Sequence, residues 1–259
     1  MNASFEKIVE DLKKLSLREG DSVVVHSSLK SMGNVEGGAK TVISALSHVI
    51  GESGTLLFPA FTFATSYGDS QFSILETPAC IGVIAETFRR EEGVLRSFHP
   101  THSVCAKGPL AKAYIEGHEL DETPMGPNSP YQKLSKYNAK ILFLGCGLAP
   151  NSFFHALEEV AKLPYTLRDK QVYTMTDAEG KITQKGIRRH NFARADGKIY
   201  QNYQRAPEIL ELGVDYVCGT VHGATSYLMD ADRLEKKAVE KMKEDPYFFI
   251  KDPDGILKK

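Results

Sequence analysis

Apolar residues recur at Phe5, Ile8, Val9, Leu12 and Leu15, the spacing of one buried helix face, so the chain opens with an amphipathic helix. "REGD" breaks it, and "SVVVHS", from Ser22 to Ser27, is a continuous apolar run of the kind a strand buried on both faces shows. "GNVEGGAKTVISALSHVIG" starts on glycines and returns to helical spacing, with Gly51 as its stop. "GTLLFPAFTF" reads as a second buried strand, interrupted by Pro59, and "IGVIAETFRREEG" as a helix capped at Gly93. "AKILFLGCG" is a third buried strand, and "NSFFHALEEVAKL" a helix that ends before Pro164.

The period then changes. "QVYTMTDAEGKITQKGIRRHNF" alternates and carries a turn signal at Asp177–Gly180, so it predicts an antiparallel hairpin. "VDYVCGTVHG" predicts one more strand and "ATSYLMDADRLEKKAVEKMKED" a closing helix. Strands alternating with helices, followed by a hairpin, predict an α/β protein whose mixed sheet is flanked by helices. No repeat, low-complexity tract or linker divides residues 1–259, which read as a single domain.

Composition narrows the function classes. The 259 residues are 42% hydrophobic and 25% charged, an ordinary soluble balance. Thirty-two basic side chains face 33 acidic ones, for a net charge of −1, which gives no general attraction to nucleic acid or to anionic membranes. The opening helix carries acids among its bases, and no run reaches the length of a membrane span, so a cytoplasmic protein is expected. Cys80, Cys105, Cys146 and Cys218 form no C-x-x-C unit and read as reduced core residues. A homodimer is the base-rate expectation for assembly.

Two signals compete in "LGCGLAPNSFFHALEE". Gly145-x-Gly147 starts like a dinucleotide loop, but the third glycine position holds Pro150, which lacks the N–H and the small size that position requires. A tight strand-to-helix turn with Asn151 or Ser152 as N-cap is the better reading. His155 and Glu158 stand three apart on the following helix and share a face, where a carboxylate can fix the imidazole tautomer and make it a general base. Taken alone, such a pair is more often a solvated helix face.

Other stretches carry weaker signals. Ser27-x-x-Lys30 matches the S-x-x-K of acyl-enzymes without the companion motifs, and no G-x-S-x-G elbow exists. His26, Ser27 and Ser28 close a strand, where backbone and hydroxyl groups can cradle an acyl carbonyl or a phosphate. His99 and His102 suggest a metal pair only until Pro100 between them is counted. Arg188 and Arg189 beside His190 read as solvated charge on the hairpin.

The order of these stretches is more specific than any one of them. "VVVHSSLKSMG", "GTLLFPAFT", "FHPTHSVCAKGP", "MGPNSPYQKL", "LFLGCGLAPNSFFHALEE", "LPYTLR" and "GTVHGATSYLMDADRL" follow one another as in the aminoglycoside 3-N-acetyltransferase family, which the chain resembles from about Val23 to Arg233. The resemblance implies that family's own α/β fold rather than the common acetyltransferase fold with a pyrophosphate-binding loop. It implies acetyl-CoA as cosubstrate, a small-molecule primary amine as acceptor, and no metal. It places the His-x-x-Glu element on His155 and Glu158, and the family's Asn-Thr on Asn151 and Ser152, a serine replacing threonine. The coenzyme A strand end falls on His26, Ser27, Ser28 and Leu29, and the serine near the thioester on Ser103.

The implied mechanism is direct transfer, with His155 as base, Glu158 orienting it, and backbone N–H groups near Ser27–Leu29 plus the Ser103 hydroxyl stabilising the oxyanion. Glu158, Glu159, Asp69 and Glu76 are candidate contacts for a cationic acceptor. The competing classes are a metal-dependent or serine-type hydrolase using His155, Glu158, His99 and His102, and a non-catalytic protein that only holds a coenzyme A-like ligand.

Overall fold

The computed structural model describes residues 2–62, 70–191 and 200–251; Asp69 and the last residue of both the second strand stretch and the hairpin stretch lie outside them. In chain order the strands are β1 (Ser22–Ser27), β2 (Thr55–Pro59), β3 (Gln71–Ser73), β4 (Leu95–Arg96), β5 (Val104–Lys107), β6 (Lys140–Leu144), β7 (Leu167–Thr176), β8 (Ile182–His190), β9 (Tyr200–Gln201), β10 (Tyr216–Val221), β11 (Ala224–Asp230) and β12 (Ile250–Lys251). The α-helices among the described residues are α1 (Ala3–Lys14), α2 (Gly38–Ile50), α3 (Val83–Arg89), α4 (Ala111–Ile115), α5 (Phe153–Val160) and α6 (Ala231–Glu244).

Seven strands form the main sheet in the order β10-β11-β6-β1-β2-β5-β4. The middle three are parallel, with Val23 opposite Lys140 and Leu56. The flanking pairs β11–β6 and β2–β5 are antiparallel. Side chains alternate across this sheet into two cores. Val23, Val25, Leu142 and Leu144 join Ile8, Leu12 and Leu46 on one face, under α1, α2 and α3. Val24, Ile141 and Phe143 join Phe154, Leu157 and Leu234 on the other, under α5 and α6. A sheet covered on both faces explains why its central strands are uniformly apolar. The expected α/β mixed sheet flanked by helices is the one observed.

The hairpin predicted around Asp177–Gly180 forms as β7 and β8, with Val172 opposite Gly186, and β3 adds a third strand beside β7. The Asp177 carboxylate accepts the N–H groups of Glu179 and Lys181 and shapes its turn. Gly51 ends α2 at φ 65° as expected, whereas α3 stops at Arg89, before the predicted cap at Gly93.

Two further expectations fail. The segment 224–230 is strand, not the start of the closing helix. His222 and Gly223 both have positive φ (46° and 84°), the signature of a type I′ turn, so the chain doubles back and β11 pairs antiparallel with β10. Helix α6 starts only after Asp230, whose carboxylate caps it through the Arg233 N–H at 3.0 Å. The cysteines are the second case: Cys105 alone is fully buried, Cys80 and Cys218 are exposed, and all four are free thiols.

The His222 turn is pinned to the opening helix. Its N–H donates to Asp11 (2.9 Å), and its ring nitrogens meet the Met32 carbonyl (2.7 Å) and the Ser4 hydroxyl (3.1 Å).

Candidate active site

Parallel strands expose their carboxyl ends to one side, and a crevice opens where the connections diverge. From β1 the chain runs through α2 to β2 on one side, while β6 pairs on the other, so that point lies at the ends of β1, β2 and β6. A cleft of about 220 Å³ opens there. Val25, His26 and Ser27 from β1, Pro59 from β2 and the turn Ala149–Ser152 after β6 line it, with His102, His155 and Tyr203.

The turn after β6 is built on glycine. Gly145 and Gly147 have φ of 69° and 65°. A Cβ on Gly145 would stand 2.9 Å from Ala224 Cβ and 3.0 Å from Ser31 Cβ, so the turn passes between β11 and the 3-10 turn Leu29–Met32 with no room for a side chain. Asn151 Oδ1 then accepts the Phe153 N–H at 3.2 Å and starts α5. The asparagine is fully buried, and its Nδ2 has no hydrogen-bond partner.

Helix α5 presents His155 to the cleft and buries Glu158 completely. His155 Nδ1 lies 3.2 Å from Glu158 Oε2. The Tyr203 hydroxyl donates to Glu158 Oε1 at 2.9 Å, and its oxygen lies 3.0 Å from His155 Nδ1. An Nδ1–H pointing at these oxygens places the imidazole lone pair on Nε2. Burial pushes the Glu158 carboxyl above its usual range, against the pull of His155 and the Tyr203 hydroxyl. Burial and the neighbouring Glu158 charge push the Tyr203 phenol well above 10, so it remains a hydrogen-bond donor at neutral pH. Tyr203 comes from the 3-10 turn Tyr203–Glu208 and packs on Phe154, ring on ring at 4.7 Å. Sequence reading missed it, because a lone tyrosine in "QNYQRAP" carries no pattern.

The other expected site residues separate. His26 and Ser27 line the cleft, whereas Ser28 and Leu29 stand just beyond it. The Ser28 N–H is committed to the Leu144 carbonyl at 2.9 Å and its hydroxyl to Ser31 at 2.9 Å. The His26 ring stacks on Phe143 at 5.3 Å, and burial lowers it to about 3, so it is neutral; its Nε2 has no partner. Ser103 departs from the expected thioester contact. It is fully buried, absent from the cleft lining, donates to the Ala60 carbonyl at 2.8 Å and accepts from Arg96 Nε at 3.0 Å.

Ser152 lines the cleft at the helix start. Glu159 is not part of the lining: Thr123 Oγ1 and the Met125 N–H bond its two oxygens at 2.5 and 2.9 Å. Glu76 is exposed and outside the lining. His99 is buried, with Nδ1 accepting the His102 N–H at 3.1 Å. Burial holds His99 and His102 well below the ordinary imidazole range. Among the described residues no group of three His, Cys, Asp or Glu side chains is arranged to hold a metal ion, and no helix is long and apolar enough to cross a membrane.

Residues 24–243 match the family model described as aminoglycoside 3-N-acetyltransferase. An aminoglycoside N(3)-acetyltransferase III from Serratia marcescens is 30% identical over 205 residues, which cover 69% of this chain and 72% of that protein. One from a Salmonella species is 33% identical over 61% of this chain and 60% of its own length. Among solved structures, a mutant of aminoglycoside acetyltransferase AAC(3)-IVa in complex with gentamicin superposes with a TM-score of 0.82, at 26% identity, over 96% of this chain and 92% of the other.

Proposed function

The chain belongs to the aminoglycoside 3-N-acetyltransferase family, and from that membership we propose that it moves an acetyl group from acetyl-CoA to a primary amine of an aminoglycoside or similar aminated small molecule, with His155 as general base. The observation that carries this reading is the buried Glu158–Tyr203 pair bonded to His155 Nδ1, with the ring itself in the wall of the cleft.

An alkylammonium has no lone pair with which to attack. His155 Nε2 therefore takes one proton before attack, and Glu158 stabilises the imidazolium. The freed amine adds to the thioester carbonyl and the C–S bond breaks. The imidazolium proton passes to the coenzyme A sulfur, and the second nitrogen proton leaves to solvent. The Tyr203 hydroxyl holds the Glu158 carboxylate beside Nδ1, so Glu158 need not reorganise as charge develops. Acetyl-CoA supplies the activated acetyl group. Asn151 Nδ2 and His26 Nε2 are buried polar atoms without partners beside the cleft, which fits a ligand carbonyl or amide more than an apolar occupant. On this reading residues 1–259 act as one acetyltransferase domain.

The test is thiol release from acetyl-CoA with a panel of amines. His155→Ala is expected to lower turnover by about 10²-fold or more while coenzyme A still binds, given the size of general-base effects. Wild-type-like turnover in that variant would remove His155 from the chemistry.

A further inference from the structure

Glu158 and Glu159 occupy successive helical positions, about 100° apart around the axis, and therefore serve different partners. Glu158 serves His155. Glu159 Oε1 lies 3.4 Å from His190 Nε2, in addition to its bonds from Thr123 and Met125. Its side chain is 8% exposed and that of His190 is 9% exposed. Three donors converge on this carboxylate, so it does not stand as an open counter-charge for a cationic acceptor.

The held imidazole lies against the proposed base. The His190 ring stacks on His155 with centroids 4.4 Å apart and planes 29° apart. His102 meets His190 edge-on at 4.8 Å and His155 at 6.4 Å. We propose that His190, anchored by Glu159, is a positioning residue that clamps the plane of the His155 imidazole. The inference rests on the acetyl-transfer reading of His155.

The physical need is specific. Bonds at Nδ1 fix one edge of the His155 ring, but a ring held at one edge still swings about that edge. Swinging moves Nε2, the atom that must meet the amine. Displacements of about 1 Å at a reacting atom cost about 10²-fold in rate. A flat neighbour against the ring face removes that motion. Burial holds His190 well below the ordinary imidazole range, so it adds no positive charge as His155 takes up its proton, whereas a lysine or arginine there would oppose it.

The experiment compares His190→Ala, His190→Leu and His190→Phe in the full chain, with thermal melts to confirm folding. Leucine fills space without a flat face, and phenylalanine keeps the face. Alanine and leucine are expected to lower kcat by about 10- to 100-fold, with KM for acetyl-CoA unchanged, and phenylalanine to restore most of the loss. Crystal structures of the same variants read the ring directly: His155 turns out of its plane in His190→Leu and returns in His190→Phe. An unmoved His155 ring in the leucine variant, or phenylalanine as slow as leucine, overturns the proposal. If wild-type protein acetylates no amine, the acetyl-transfer reading fails on its own, and the ring orientation still decides whether His190 is a clamp.

Discussion

Tyr203 donates its hydroxyl to Glu158 Oε1 at 2.9 Å, joining a 3-10 turn to a helix 45 residues earlier in the chain. Both groups are buried, so the bond replaces water that the carboxylate has lost. Hydrogen bonds to charged groups contribute about 1.5–3 kcal/mol.

Tyr203→Phe tests how much of that energy reaches the reaction. If the bond stabilises the charged pair during proton transfer, kcat falls by about 10- to 100-fold with KM for acetyl-CoA unchanged. Steady-state kinetics against both substrates decide it. A change confined to KM would mean that Tyr203 serves binding instead.

Acid should weaken the fold through its buried histidines. Burial lowers His26 and His118 to about 3, against 6.5 for the free side chain. The unfolded chain therefore takes up more protons than the folded one as pH falls below 6.5. Stability is full above that value and is lost progressively toward pH 3. Each such group costs about 2 kcal/mol by pH 5. Glu158 and Glu159, shifted upward, act in the opposite direction and offset part of the loss. Unfolding free energies from urea titrations at pH 7 and pH 5 are expected to lie closer together in His26→Phe than in wild type, by about 2 kcal/mol. Equal losses in the two proteins would show that His26 is not the titrating group.

Ser103→Ala separates support from catalysis. Its hydroxyl bridges the Ala60 carbonyl and the Arg96 guanidinium, itself buried and lowered to about 10 by that burial. The Ala60 carbonyl keeps its bond from Arg96 Nη2 at 3.0 Å, but Arg96 Nε loses its acceptor, which should cost about 1–3 kcal/mol in a denaturant titration. Turnover per folded molecule is expected to change little. A large rate loss at unaltered stability would return Ser103 to the thioester role that the family resemblance implied.

Gly145→Ala probes the turn that delivers α5. The added methyl meets Ala224 and Ser31 at 3.0 Å or less, at a φ of 69° that L residues rarely adopt. Overpacking of this kind costs about 1–3 kcal/mol. The melting temperature should drop. An unchanged melt would mean that β11 and the Leu29–Met32 turn yield freely.

Much of this site was legible in the residue pattern, and the exceptions have physical causes. The β1 and β6 runs, the turn after Leu144 and the His155–Glu158 helix are local, so spacing alone reveals them. The strand 224–230 was hidden because it runs into α6 with no break other than Asp230, which caps the helix through its side chain. The available signal was the glycine at Gly223, which the structure uses together with His222 at positive φ. Tyr203 and His190 were not readable as partners of the dyad, since only tertiary packing brings their rings to His155. Exposure of Cys80 and Cys218 shows the same limit in reverse: apolar neighbours in sequence did not bury those thiols.

The position of β11 between β10 and β6 sets an order of events during synthesis. β6 carries the turn to His155, yet the strand that covers one of its edges is made some 80 residues later. Until the ribosome has released that segment, β6 offers unpaired amide and carbonyl groups to any other nascent chain. The turn that leads to His155 leans on the same late strand through Gly145 and Ala224. Its geometry is therefore among the last to settle, and a chain interrupted before Ala224 would keep the dyad's residues while lacking the wall that aims them.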